Sequence, residues 1–456
     1  MNKKIITLFL LFAFILSSGF GCKQSAQQVQ NAMKPVALTI WGVWDNTEDL
    51  APMITAYKAL HPFITVNYRK FRYSEYEAEL LNAFAEDRGP DIFSINNTWV
   101  RKYQSKLIPA PAQIPMVYPV TQGTIQKQIV PETRITQSLT PKNVKDIFVD
   151  TVYDDVIIDG KLYGLPLSLD TLVMYYNRDL LNNAGVTDIP AYWNREFQQT
   201  VKRLTKQDLK GNIIQSGVAL GGSRNIERYS DILSVLMMQN GAQMMTNGNV
   251  SFQLIPPGST DTSYNPGYSA LRFYMDFSNP VKEVYSWNND LDSSINSFVS
   301  GNLAFMFGYA YHLSTIKTRA PKLNFGIAKL PQIEGAPADT NFANYWLNVV
   351  SKKSQYTNEA WDFVQFMAKS EQVKPYLAAV KKPTALRSLI KEQRDDPEMG
   401  VFADQVLTAK SWYRGYNAIA AEEALADMID SSIEDETKIP DAIGLAASRI
   451  QQTLSQ

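Results

Sequence analysis

Cysteine is nearly absent: Cys22 is the only one in 456 residues. A single thiol allows no intrachain disulfide and no paired thiolate metal site, so the fold must stand on its core. Histidine is scarce as well, with His61 before a proline and His312 after an aromatic pair. Neither stands in an H-E-x-x-H or comparable spacing, which leaves zinc and serine–histidine chemistry poorly supported. No G-x-S-x-G elbow and no phosphate-cradling G-K-[ST] loop occurs. Excess charge of one sign is missing too, since 44 basic residues meet 45 acidic ones for a formal net charge of −1. That balance offers no electrostatic footprint for nucleic acid. After the N-terminal leader no segment approaches the ~20 unbroken apolar residues of a membrane span. No internal repeat of solenoid period is present.

What is there begins with that leader. Lys3 and Lys4 precede the run from Ile5 to Ser18 (IITLFLLFAFILSS), followed by Gly19, Phe20, Gly21 and Cys22. A charged start, an apolar stretch of about 14 residues and a small residue describe a secretory signal rather than a span. Cysteine after a small residue resembles the lipobox of bacterial lipoproteins, with Gly19 where leucine is usual. The expectation is a signal peptide over 1–22 and a chain anchored outside the bacterial cell membrane through lipidated Cys22. The plainer alternative is a secreted chain or an uncleaved anchor. Residues 23–36, polar and aperiodic, read as a flexible spacer.

The mature chain is long enough for two or three domains, and 45% hydrophobic with 20% charged residues is ordinary globular composition. Periodicity then sets in sharply. VALTIW alternates like a strand up to Gly42, and Leu50, Met53, Ile54 and Tyr57 form one helical face. Ile64, Val66 and Tyr68 alternate again, Tyr76, Leu80, Leu81 and Phe84 make a second helical stripe, and DIFSI (91–95) reads as a buried strand. Strand, helix, strand, helix, strand predicts an α/β layer with a parallel sheet. Ligands of such sheets sit at the carboxyl ends of the strands, which points to Trp44-Asp45 and to Asn96-Asn97-Thr98-Trp99. Six prolines (Pro109, Pro111, Pro115, Pro119, Pro131, Pro141) and little periodicity predict an irregular surface excursion over 109–141. Helical stripes return at Leu271/Tyr274/Met275, Ile295/Phe298/Val299 and Leu425/Met428/Ile429, and the last hundred residues are mostly helical in pattern.

The most specific stretch is DGKLYGLPLSLDTLVMYYNRDL (159–180). With LTIWGVWD (38–45) and GPDIFSI (89–95), it resembles the carbohydrate-binding group of extracellular solute-binding proteins, the maltose-binding-like capture subunits of ABC importers. WNREF (193–197), FVSGNLAFMFG (298–308), LNFGIAKLPQ (323–332), EAWDFVQFMAKSEQ (359–372) and KKPTALRSLI (381–390) continue the likeness in order, so it covers roughly residues 36 to 450. Tyr192 departs from the usual threonine before the tryptophan, and the proline-rich stretch is longer than the family core requires. The resemblance implies a periplasmic-binding-protein-like α/β fold with two lobes, a hinge and a central ligand cleft. Lobe 1 would take 37–169 with 333–384, and lobe 2 would take 170–332 with 385–456. Crossings are expected near Ser168–Leu172, Pro331 and Thr384.

A sugar needs flat aromatic platforms for its C–H faces and fixed polar groups for its hydroxyls. Trp44 and Asp45 in the first strand-to-helix loop supply both kinds, although Trp44 could instead pack beneath the helix. Asn97 and Trp99 repeat the pattern after the third strand. Asp170 falls where relatives place an acidic sugar ligand, the competing role being a hinge carboxylate bound only to backbone. Arg224, Asn225, Glu227, Arg228 and Tyr229 form a polar group before an apolar run, so Glu227 or Tyr229 could touch ligand, as readily as serve as surface helix-start charge. Of Tyr309 and Tyr311, one is expected to face the cleft and the other the core. Trp346 and Trp412 are further platforms, whereas Trp193 and Trp361 sit on amphipathic helices and belong to the core. The resulting expectation is a sugar-binding protein of hinge-closing type, monomeric, delivering a mono- or oligosaccharide to an ABC permease. It would need no cofactor or metal and would not be an enzyme. Two rivals remain: a glycoside-acting enzyme using a carboxylate pair from Asp45, Asp170 and Glu227, and a structural or adhesive lipoprotein. Asn289, Asp290 and Asp292 lack the glycine and terminal glutamate of a calcium loop.

Overall fold

The computed structural model describes residues 33–124 and 127–455. The leader, Cys22 and residues 23–32 of the spacer lie outside the described residues.

Two hydrophobic cores organise the chain. The first is built on a five-stranded sheet in the order Ile64–Lys70, Val36–Gly42, Ile92–Asn96, Trp346–Val350, Gly164–Pro166. Its first three strands run parallel, and the last two are added antiparallel. The alternating residues Leu38 and Ile40 are buried, as are Leu50, Met53 and Tyr57 on the helix Thr47–Leu60 and Tyr76, Leu80 and Phe84 on the helix Tyr73–Ala85. Both helices therefore turn most of the predicted stripe toward the sheet, as a period of three and four residues requires, but Leu81 is 40% exposed and Ile54 is only partly buried. Trp361 lies in this core with no exposed surface.

The second core surrounds a sheet in the order Lys206–Gln207, Ile213–Val218, Leu303–Gly308, Val173–Asn177, Phe325–Lys329. It is mixed, since Leu303–Gly308 pairs parallel with Ile213–Val218 and antiparallel with Val173–Asn177. Trp193 is buried here, its indole N–H donating to Gln239 at 2.7 Å. The helices Ala418–Glu434 and Ile439–Gln452 close this core, burying Leu425, Met428 and Ile429.

Between the cores runs a three-stranded ribbon of Asp170–Thr171, Asn341–Asn344 and Ala409–Lys410. The first core ends at Leu169 and the second begins at Leu172; Phe342 belongs to the second and Ala343 to the first. Ala385, Leu386 and Ile390 pack into the first core, while Met399 and Phe402 pack into the second. The fully buried Asn341 amide fixes this region, donating to the Leu172 carbonyl and to Gln405 at 2.8 Å each and accepting from the Leu172 N–H at 3.0 Å. A second tie gathers on the buried Asp155, which accepts from Asn97 (3.1 Å), Tyr345 (2.7 Å), Ser411 (2.6 Å) and Arg414 (3.1 Å).

The proline-rich stretch is not irregular. Gln113–Gln122 and Gln128–Gln137 form a long antiparallel ribbon in which Pro119 faces Pro131 and Pro115 faces Ile135. Proline cannot donate to a ladder. All three of these prolines fall in one class of the alternating pairs, and opposed prolines require it to be the class that exchanges no hydrogen bonds. Proline content thus conceals the strand without breaking it.

Candidate functional site

A cavity of about 700 Å3 opens between the two cores where the strands of both sheets end. Its two walls differ in chemistry.

The wall on the first core is aromatic. Trp44 follows the strand Val36–Gly42 and is 49% exposed; Tyr73 opens the helix Tyr73–Ala85. Their rings stack with centroids 5.6 Å apart at 24°. Trp346, which opens the antiparallel strand Trp346–Val350, meets Trp44 edge-on at 5.9 Å and 78°, and Trp99 supports it from behind at 5.5 Å. The result is an exposed aromatic corner with two faces. Beside it, one oxygen of Asp45 accepts from both the Tyr376 hydroxyl and the Lys382 ammonium at 2.7 Å. Burial, and then the Asp45 charge, hold the Tyr376 phenol well above its ordinary range.

The wall on the second core is polar and fixed by backbone. Asp170 leaves the crossing ribbon and caps the helix Ala310–Arg319, accepting from the Ala310 N–H at 2.9 and 3.1 Å and from the Thr171 N–H at 2.9 Å. Burial pushes its carboxyl up to about 7, opposed by those backbone donors and by Lys382. Tyr309 is fully buried, its hydroxyl donating to Asp231 at 2.6 Å, whereas Tyr311 is 46% exposed in the cleft. The Tyr311 ring stacks on His312 at 4.1 Å, and His312 pairs through Nε2 with Glu227 at 3.2 Å. That hydrogen bond holds the Glu227 carboxyl below its usual range. Gly308 makes the tight turn possible, since a Cβ there would come within 2.7 Å of His312 Nδ1.

Of the residues singled out in the sequence, Trp44, Asp45, Asp170, Tyr309, Tyr311 and Trp346 line this one cavity. Asn97, Trp99 and Trp412 line a smaller cavity beside it. Glu227 and Tyr229 line neither: the first pairs with His312, and the Tyr229 hydroxyl donates to the Glu422 carbonyl at 2.8 Å. Among the lining residues that escaped the sequence reading are Tyr73, Arg228, Tyr376 and Lys382. Arg228 stood inside the polar group already noted, but no pattern marked it above its neighbours.

Most charges in and around the cleft are paired, Lys381 being a lining cation with no ion pair among the described residues. Lys382 pairs with Asp45, Lys317 with Glu398, and Arg228 with Asp231 and Glu422. Among the described residues no cluster of three or more His, Cys, Asp or Glu is placed to hold a metal ion, and no helix is long and apolar enough to cross a membrane.

The family model of bacterial extracellular solute-binding proteins matches residues 44–374. A protein of Brucella abortus (strain 2308) named as a binding protein is 25% identical over 223 residues, 49% of this chain. The chain spans about half the length of that relative. The galactooligosaccharide-binding protein of Bacillus subtilis (strain 168) is 19% identical over 390 residues, 85% of this chain and 82% of its own. Among solved structures, the cyclic α-maltosyl-1,6-maltose binding protein of Arthrobacter globiformis superposes with a TM-score of 0.70 at 18% identity, covering 92% of this chain and 99% of the other. That likeness shows the periplasmic-binding-protein-like fold.

Proposed function

The chain belongs to the bacterial extracellular solute-binding protein family, and from that premise we propose that it captures a neutral mono- or oligosaccharide for an ABC permease. The observation that carries this reading is the pairing of walls. The exposed rings of Trp44 and Tyr73, with the partly buried Trp346 beside them, face fixed polar groups across a cleft of about 700 Å3. A pyranose offers one apolar face and a rim of hydroxyls, and those two walls answer them separately. The names of the Bacillus and Arthrobacter proteins point the same way.

The two cores act as lobes 37–169 with 333–384 and 170–332 with 385–456, except that 385–390, Val406 and Ala409 pack with the first and Phe342 with the second. Ligand touching both walls gives the closed arrangement contacts that an open one lacks, so binding drives closure about the ribbon. Binding rather than hydrolysis is supported by how the carboxylates are spent: Asp170 on backbone N–H groups, Asp45 on Tyr376 and Lys382. The monomer is tethered at Cys22 outside the cell membrane, in keeping with an extracellular family.

The test is a time course. Purified protein incubated with oligosaccharides should leave them intact while they raise its melting temperature. Steady release of reducing ends at catalytic rates would replace this reading with a glycosidase. Mass spectrometry of the native N-terminus should show a diacylglyceryl addition on Cys22, and an unlipidated start elsewhere would remove the anchor.

A further inference from the structure

The smaller cavity, about 100 Å3, shares Tyr73, Asn96, Arg228 and Asn344 with the main cleft. Tyr73 comes from the first lobe and Arg228 from the second, so residues of both lobes are shared by the two cavities. Arg228 is held there by design of the backbone and of its charge partners. It takes a left-handed φ of 58° just before the helix Tyr229–Gln239, a conformation an arginine adopts only when its surroundings impose it. Its Nε and Nη2 donate to Asp231 at 2.8 Å each, and Asp231 also accepts from Tyr309 at 2.6 Å. Glu422 lies 3.7 Å away. The fork is thereby clamped, and Nη1 has no partner among the described residues.

One guanidinium facing two carboxylates leaves this chamber no net positive charge, so it does not suit an anion. The rest of its lining is largely apolar, with Phe342, Ile419 and Leu425 beside Trp99 and Trp412, and its amide and hydroxyl groups are partly spent within the protein, Asn97 donating to Asp155 at 3.1 Å and Ser234 accepting from the Trp412 indole at 3.0 Å. A water occupies roughly 30 Å3 of liquid, so the chamber admits a few heavy atoms and not a second sugar ring.

We propose that this chamber is a side subsite of the cleft, entered between Tyr73 and Arg228, which receives the exocyclic hydroxymethyl group of a sugar held in the cleft. Arg228 Nη1 donates to the hydroxymethyl oxygen. A ligand without that group leaves the clamped Nη1 donor unanswered, and sites built to bond a substrate hydroxyl reject analogues that lack it. The subsite therefore selects hexose over pentose. The inference rests on the saccharide reading above.

The experiment is calorimetric titration with sugar pairs that differ only in this group: glucose and xylose, galactose and L-arabinose, mannose and lyxose, and the cello- and xylo-oligosaccharides of two to four units. Wild type should bind the hexose member of its best pair at least about tenfold more tightly. Arg228→Ala should reduce that ratio to within about twofold, and so should Ala418→Phe, which fills the chamber from a partly exposed position. The second variant preserves the test if the first fails to fold. Equal binding within the best pair, or a ratio that survives the variants, overturns the subsite while leaving sugar binding intact. No binding by any pair to folded wild type overturns the saccharide reading and the subsite together.

Discussion

The two walls of the cleft solve opposite problems with opposite materials. On the first lobe, Trp44 and Tyr73 stand half exposed and contribute area without a fixed polar demand. On the second, Asp170, Tyr309 and Arg228 are held by backbone donors and buried partners before any ligand arrives. The aromatic wall gains mainly by being covered, so it can carry affinity with little cost to the empty protein. The polar wall is preorganised, so its residues carry the fold and the site together. The same substitution is therefore expected to act differently on the two sides.

The largest effect on binding alone should come from Trp44→Ala. Loss of a covered ring removes about 2–3 kcal/mol of apolar contact, roughly 30- to 150-fold in affinity. Its unfolding midpoint should scarcely move, because the ring is 49% exposed in the empty protein. A variant that unfolds early and binds normally would erase the contrast between the walls.

Asp170→Ala should do both kinds of damage. It strips the acceptor from the Ala310 and Thr171 N–H groups, at a cost of about 1–3 kcal/mol in stability, and it weakens ligand binding as well. Chemical denaturation alongside calorimetry separates the two losses. Unchanged stability would mean that the helix cap is dispensable and that the polar wall resembles the aromatic one.

A pH scan sharpens the same point. Burial raises the Asp170 carboxyl from 3.8 to about 7, so between those values the folded protein holds a proton that the unfolded chain has released. Its contribution to stability is complete below the unfolded value and is lost as pH rises through about 7. Asp170→Asn should flatten that part of the stability profile. An identical slope in the variant would assign the titration elsewhere.

Lys382→Met should have the smallest effect. The Lys382–Asp45 pair is part-exposed, with side chains 28% and 22% accessible, and such pairs contribute about 0–1 kcal/mol. Tyr376 continues to hold Asp45. A loss approaching that of Trp44→Ala would make this carboxylate a principal ligand contact.

Much of the fold was legible because burial imposes periodicity. Alternation marked the strands at 36–42 and 64–70, and three-and-four spacing marked the helices after them. The ribbon at 113–137 escaped because its prolines occupy the pairs that exchange no hydrogen bonds, and composition alone does not reveal register. In the site, Trp44 and Asp45 were readable from a strand's carboxyl end, where α/β sheets place ligands, whereas Trp346 opens its strand and was read from its place near the hinge. Arg228 was not. The left-handed φ at that residue breaks the phase of the following helix, so spacing from Glu227 and Tyr229 does not indicate which side chain faces the cleft. Lys382 and Tyr376 were hidden for a different reason. They meet Asp45 across more than 300 residues of sequence, and no local pattern encodes that meeting.

The central claim is that a neutral saccharide bridges the two walls and draws them together. Small-angle scattering of the purified protein tests it directly, with and without saturating concentrations of whichever neutral oligosaccharide raises the melting temperature, and with sn-glycerol 3-phosphate as the anionic control. The neutral sugar should shrink the radius of gyration and the anion should leave it unchanged. A curve unaltered by the sugar at full occupancy, or a contraction produced only by the phosphate, would contradict the account.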